Sequence, residues 1–117
     1  MKVVFYEKSD GTKPAEEFLD KLPPKMRSKM LQTIYVLEKF GIQIREPYSK
    51  PLGNGIFELR VKLGSDIARS LYFFVVENLA VITNGFIKKT QKTPRREIEL
   101  AKKYRKDYFQ REMKQND

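Results

Sequence analysis

Between residues 56 and 88, apolar and polar residues alternate in strand-length runs broken by short polar turns, and this pattern predicts a β-meander. In residues 56–63, Phe57, Leu59, Val61 and Leu63 point one way. Glu58, Arg60 and Lys62 point the other, onto what is expected to be the less buried face. Gly64-Ser65-Asp66 supplies a hairpin turn. Residues 67–76 are apolar on both faces, as in a central strand, although Arg69 stands near the start. Glu77-Asn78 turns the chain into residues 79–83, and Gly85-Phe86-Ile87-Lys88-Lys89 then lead into a polar loop.

Ahead of the meander the period lengthens. Residues 2–7 read as a first strand, Asp10-Gly11 as a turn, and Thr12 as the N-cap of a helix with Pro14 in its first turn. That helix is expected to bury Ala15, Phe18, Leu19 and Leu22 and to stop at Pro23-Pro24. A second helix starts near Pro24, carries a stripe of Met26, Met30, Thr33, Ile34 and Leu37, and ends at Gly41. The pair reads as an antiparallel helical hairpin. Residues 44–49 form a short strand or an extended loop, with Pro47 and Pro51 limiting any pairing. Thr93 is expected to cap a last helix, with Pro94 at its first position, that runs to about Tyr108. The expected fold class is α+β in the order β-α-α-β-β-β-α. One central antiparallel sheet, with the hairpin and the last helix packed on it, makes a single domain over residues 1–117.

Composition narrows the function. With neither Cys nor His, the chain lacks a disulfide framework and the two best transition-metal ligands, and it suits a reducing cytoplasm. The fifteen acidic residues do not cluster, so neither a metal nor another cofactor is expected. No run approaches the roughly 18 apolar residues of a membrane span. The N-terminus is charged again at Glu7, unlike a signal peptide. The net charge of +9 is uneven: residues 85–117 hold eleven basic and five acidic side chains. Such a field attracts phosphate backbones.

Glu58, Arg60 and Lys62 alternate on one strand, and Arg69 could lie across from them on its hairpin partner. Lys88 and Lys89 end the next strand, with Lys92, Arg95 and Arg96 just beyond. Arg offers phosphate a planar fork and Lys a point charge, so a cluster of this kind suits phosphoryl transfer. The plain alternative is a solvated charged strand face, and a basic helix stripe of Arg95, Lys102 and Lys106 that only meets water.

Three segments go further: Lys50-Pro51-Leu52-Gly53-Asn54-Gly55-Ile56-Phe57-Glu58-Leu59-Arg60, then Arg69-Ser70-Leu71-Tyr72, then Asn84-Gly85-Phe86-Ile87-Lys88-Lys89-Thr90-Gln91-Lys92-Thr93-Pro94. With Glu97, Ala101 and a downstream Tyr, they resemble the HigB and phage Gp49-like branch of the RelE superfamily over roughly residues 50–108. The resemblance implies a RelE-like fold and the toxin of a type II toxin–antitoxin system, a ribosome-dependent endoribonuclease that cuts mRNA. It also implies metal-independent attack of the ribose 2′-OH on the scissile phosphate. A helix-turn-helix, HigA-like antitoxin would silence the toxin, in a heterotetramer.

Carried over by residue, Arg60 and Arg69 would bind the phosphate, and Lys88 or Lys89 would add charge or move a proton. Glu58 would act as general base or orient Arg60. Tyr48, Lys50 and Phe86 would stack on a base or grip the backbone, with Lys62 and Lys92 beside them. Arg95, Arg96, Lys102 and Lys106 would serve the ribosome. Unlike some superfamily members, the chain has no His and no evident C-terminal catalytic Tyr pair. The alternatives are gyrase poisoning of the ParE kind and a non-catalytic RNA-binding or antitoxin-partner module.

Overall fold

The computed structural model describes residues 1–76 and 78–115, so the Glu77 half of the expected Glu77-Asn78 turn lies outside the described residues. The elements are β1 (Lys2–Phe5), α1 (Pro14–Lys21), α2 (Pro24–Phe40), a 3₁₀ turn (Gly41–Gln43), β2 (Ser49–Gly53), β3 (Ile56–Leu63), β4 (Asp66–Val75), β5 (Leu79–Lys88) and α3 (Arg95–Gln115). They build a single five-stranded sheet in the order β1-β5-β4-β3-β2, an α+β fold of the expected class.

The helix boundaries follow local chemistry, with three corrections. Pro14 opens α1, but its N-cap is Lys13 and not Thr12. Thr12 instead donates from N and Oγ1 to Asp10 Oδ1, at 2.9 and 2.7 Å, closing the turn ahead of the helix. Thr93 does not cap α3 either, because its hydroxyl donates to Glu58, 35 residues away in sequence. Gly41 ends α2 at φ 56°, where a side chain would be strained. The last helix runs on to Gln115, past the expected end near Tyr108.

The sheet is mixed, not purely antiparallel. β2 through β5 pair antiparallel, whereas β1 runs parallel to β5. The helices after β1 carry the chain across one face before the meander begins, so β1 completes the open edge of β5. Residues 44–48 are a loop, and β2 begins at Ser49 as an edge strand, where Pro51 is tolerated.

Both faces are covered. On one, Leu19, Met26, Met30, Ile34 and Leu37 of the first two helices pack on Leu59, Val61, Ala68, Tyr72, Ala80 and Ile82. The alternation of β3 places Leu59 and Val61 there, and each helix rests on the sheet more than on its neighbour. A fully buried side chain such as Leu37 contributes about 1.5–3 kcal/mol and leaves no room for a polar replacement. Gly85 is required on this face, because a Cβ there would sit 2.2 Å from the Phe18 ring, which is itself half-buried. On the other face, Ala101, Tyr104 and Tyr108 of α3 pack with Ile56, Leu71, Phe73, Val81 and Phe86. Glu58 and Arg60 share that second face, so it is not the solvent face expected from the alternation: Glu58 is wholly buried.

Candidate functional site

Register brings the charged side chains together. Arg60 of β3 stands opposite Arg69 of β4, which stands opposite Phe86 of β5. In the rows on either side, Glu58 pairs with Leu71 and Asn84, and Lys62 with Ile67 and Lys88. Strand alternation therefore puts Lys88 on the arginine face, while Lys89 lies just beyond the end of β5. Lys89 is exposed and lies 3.9 Å from Asp66. Lys50 of β2 pairs with Glu58, which aligns it with the same face.

Two arginines directly opposed across a strand pair repel one another. Glu58 resolves the conflict. Its Oε2 lies 3.2 Å from Arg60 Nη2 and its Oε1 lies 3.4 Å from Arg69 Nε, the latter an ion pair without hydrogen-bond geometry. Thr93 Oγ1 donates to both carboxylate oxygens, at 2.6 and 3.0 Å. Both oxygens of Glu58 are thus engaged away from water, an arrangement that orients arginines and leaves no access to a substrate hydroxyl.

Arg69 is completely buried, with its guanidinium carbon 5.6 Å from the centre of the Phe86 ring. Burial pushes its pKa below the ordinary arginine value, the Glu58 charge opposes that, and Arg60 adds to it. Phe86 is itself buried, so its ring serves Arg69 and is not open to a base. The Arg60 side chain is 17% exposed. It donates from Nη1 to Gln91 Oε1 at 3.0 Å and from Nη2 to the Gln91 carbonyl at 2.6 Å.

Arg60 opens onto a cleft of about 460 Å³ that Lys29, Lys50, Lys62, Glu46 and Gln91 also line. A shallower hollow of about 340 Å³ continues from it past Lys29, Gln32, Tyr48 and Lys62. A third, of about 420 Å³, continues the other way past Lys50, Gln91, Lys92 and Thr93. The result is a trough whose charged lining is five cations and one carboxylate, Glu46. Tyr48, 44% exposed, presents a ring along it. A cavity of about 590 Å³ adjoins on the apolar side, between Ile42, Ile44, Phe57 and Phe74.

Arg95, Arg96 and Lys106 are exposed on α3 and do not line the trough. Lys102 is partly covered and lies 3.5 Å from Glu99. Lys29 and Glu46 were not singled out by the sequence; Thr93 stood out only as a helix cap and Gln91 only as part of the 84–94 motif. Lys29 flanks the apolar stripe of α2 at a position where lysine is unremarkable, and its meeting with β3 is a long-range event. Among the described residues, no group of three or more acidic, His or Cys side chains could hold a metal ion. No helix among them is long and apolar enough to cross a membrane.

Residues 17–106 match the model of a family described as phage derived protein Gp49-like, a family linked to RelE-like toxins. No curated protein matches the chain.

Proposed function

As the chain belongs to the Gp49-like family of phage-derived proteins, we propose that it is the toxin of a type II toxin–antitoxin pair and that it cleaves messenger RNA on the ribosome. The observation that carries this reading is the trough. Arg60 is held at its floor by a buried carboxylate, and Lys29, Lys50 and Lys62 stand around it. A preorganised guanidinium with several ammonium groups is the arrangement that stabilises charge on a phosphorane-like transition state.

In the proposed reaction the ribose 2′ oxygen bonds to phosphorus and the bond from phosphorus to the 5′ oxygen breaks. The 2′-OH proton passes to an acceptor, and a second proton reaches the departing 5′ oxygen. One fragment carries a 2′,3′-cyclic phosphate and the other a 5′-OH. Arg60, with Arg69 behind it, holds the phosphate, and Lys88 adds charge at the end of the row. Glu58 is a positioning residue. Glu46 is the carboxylate open to the cleft and takes the place of proton acceptor. Tyr48 stacks on a neighbouring base. The exposed cations of α3 face ribosomal RNA, and a helix-turn-helix antitoxin covers the toxin in a heterotetramer.

Mapping mRNA 5′ ends by primer extension after pulsed expression tests the reading. New ends inside translated regions are expected with wild type and should vanish with Arg60→Ala. Growth arrest without new ends would overturn it and favour gyrase poisoning.

A further inference from the structure

The arginines assigned to phosphate are already occupied by the protein itself. Residues 89–94 join β5 to α3 and pass over both guanidinium groups. The Gln91 carbonyl oxygen accepts from Arg60 Nη2 at 2.6 Å and from Arg69 Nη2 at 2.9 Å, so one oxygen is shared between two arginines as a phosphate oxygen would be. The Thr90 carbonyl also accepts from Arg69 Nη2, and Gln91 Oε1 takes Arg60 Nη1. These neutral oxygens satisfy the site only in part. Arg69 Nε and Nη1 and Arg60 Nε are buried with no hydrogen-bond partner. An anion with three or four oxygens suits those donors better than two carbonyls and an amide.

The covering segment is also lightly fastened. Thr90, Gln91 and Lys92 are exposed, and the firm anchor is Thr93, buried against Glu58 at the far end. Apart from the carbonyls it lays on the arginines, the near end is held, among the described residues, by the exposed Lys89–Asp66 pair, of a kind that adds little.

We infer that residues 90–92 form a flap that closes over the arginine pair in the RNA-free protein, with the Gln91 carbonyl in the place of a phosphate oxygen. The substrate phosphate binds by displacing it. The inference rests on the reading of Arg60 and Arg69 as phosphate ligands. It makes the affinity for RNA depend on the fraction of open flap, so weakening the flap tightens binding.

The test uses the full chain and a fluorescein-labelled, fully 2′-deoxy single-stranded oligonucleotide, which binds without being cut. Because the chain has no cysteine, Thr90→Cys with Lys103→Cys places two spin labels, one on the flap and one on the exposed face of α3. The expected results are a shifted inter-label distance when the oligonucleotide binds, and roughly three- to tenfold tighter binding by Gln91→Gly, which lacks one hydrogen bond to Arg60. Bound oligonucleotide with an unchanged distance would overturn the flap and leave the RNA reading standing. Binding by Gln91→Gly with none by wild type would support the flap. Absence of binding by both proteins would overturn the flap together with the RNA reading beneath it.

Discussion

Removing the carboxylate of Glu58 should destabilise the whole domain, because it strips the counter-charge from two facing arginines. Glu58 and Arg69 are both wholly buried, and Arg60 is largely covered. In Glu58→Ala, Arg69 keeps its charge, loses the ion pair at 3.4 Å and retains the neutral carbonyls of Thr90 and Gln91 and the Phe86 ring. Leaving one buried charge unpaired costs about 3–5 kcal/mol. For a domain of this size that corresponds to a fall in Tm of roughly 10–20 °C. Urea unfolding followed by circular dichroism reads the loss directly, with an unchanged slope showing that native compactness is retained. The control is Glu58→Leu combined with Arg69→Leu, which removes both charges and should recover at least half of the loss, since apolar replacement of a buried pair is often neutral. A Glu58→Ala protein within about 1 kcal/mol of wild type would refute the reasoning, because the arginines would then not need their carboxylate. So would a double variant as unstable as the single one.

Lys29→Ala should weaken oligonucleotide binding and lower the slope of log K against log salt by about 0.7, the single-strand value for one phosphate contact; an unchanged slope would remove Lys29 from the trough. Glu46→Gln should lower the rate of RNA cleavage by roughly 10²-fold or more with little effect on binding, read by single-turnover kinetics; full activity would dismiss Glu46 as proton acceptor. Gly85→Ala should cost about 1–3 kcal/mol through its clash with Phe18, and combination with Phe18→Ala should not add a second full penalty, as a thermal-denaturation cycle would show. Tyr6 and Tyr72 have their pKa values pushed up to about 12, mainly by burial and, for Tyr6, also by its hydrogen bond to Asp107. Their folded pKa values exceed the unfolded value of about 10, so the neutral forms favour folding fully below that pH. The stability they contribute should fall as pH rises from about 10 to 12. Tyr72→Phe should flatten that decline in urea midpoints; an unchanged decline would contradict the shift.

The sequence made the elements readable where the physics is local. The stripe from Met26 to Leu37 gave α2 because residues three and four apart share a helix face, and all five stripe positions are buried. Alternation in residues 56–63 placed Leu59 and Val61 on the helix-covered face for the corresponding reason in a strand. Capping was read less well: Thr12 and Thr93 are both good cap residues, yet each hydroxyl found a carboxylate instead. The Asp10 partner is two residues away, but the Glu58 partner depends on the closed sheet.

Charge and the strand meander that carries Arg60, Arg69 and Lys88 were thus determined by the sequence itself, because alternation and turn chemistry act over a few residues. Tertiary structure alone decided that β1 lies parallel to β5, that Lys88 and not Lys89 shares the arginine face, and that Glu58 is enclosed. It alone brought Lys29 from α2 beside Arg60 and laid the carbonyls of Thr90 and Gln91 on the arginines. These outcomes depend on which face α3 and its preceding loop cover. That is set by packing between segments 20 or more residues apart, where no local period reaches.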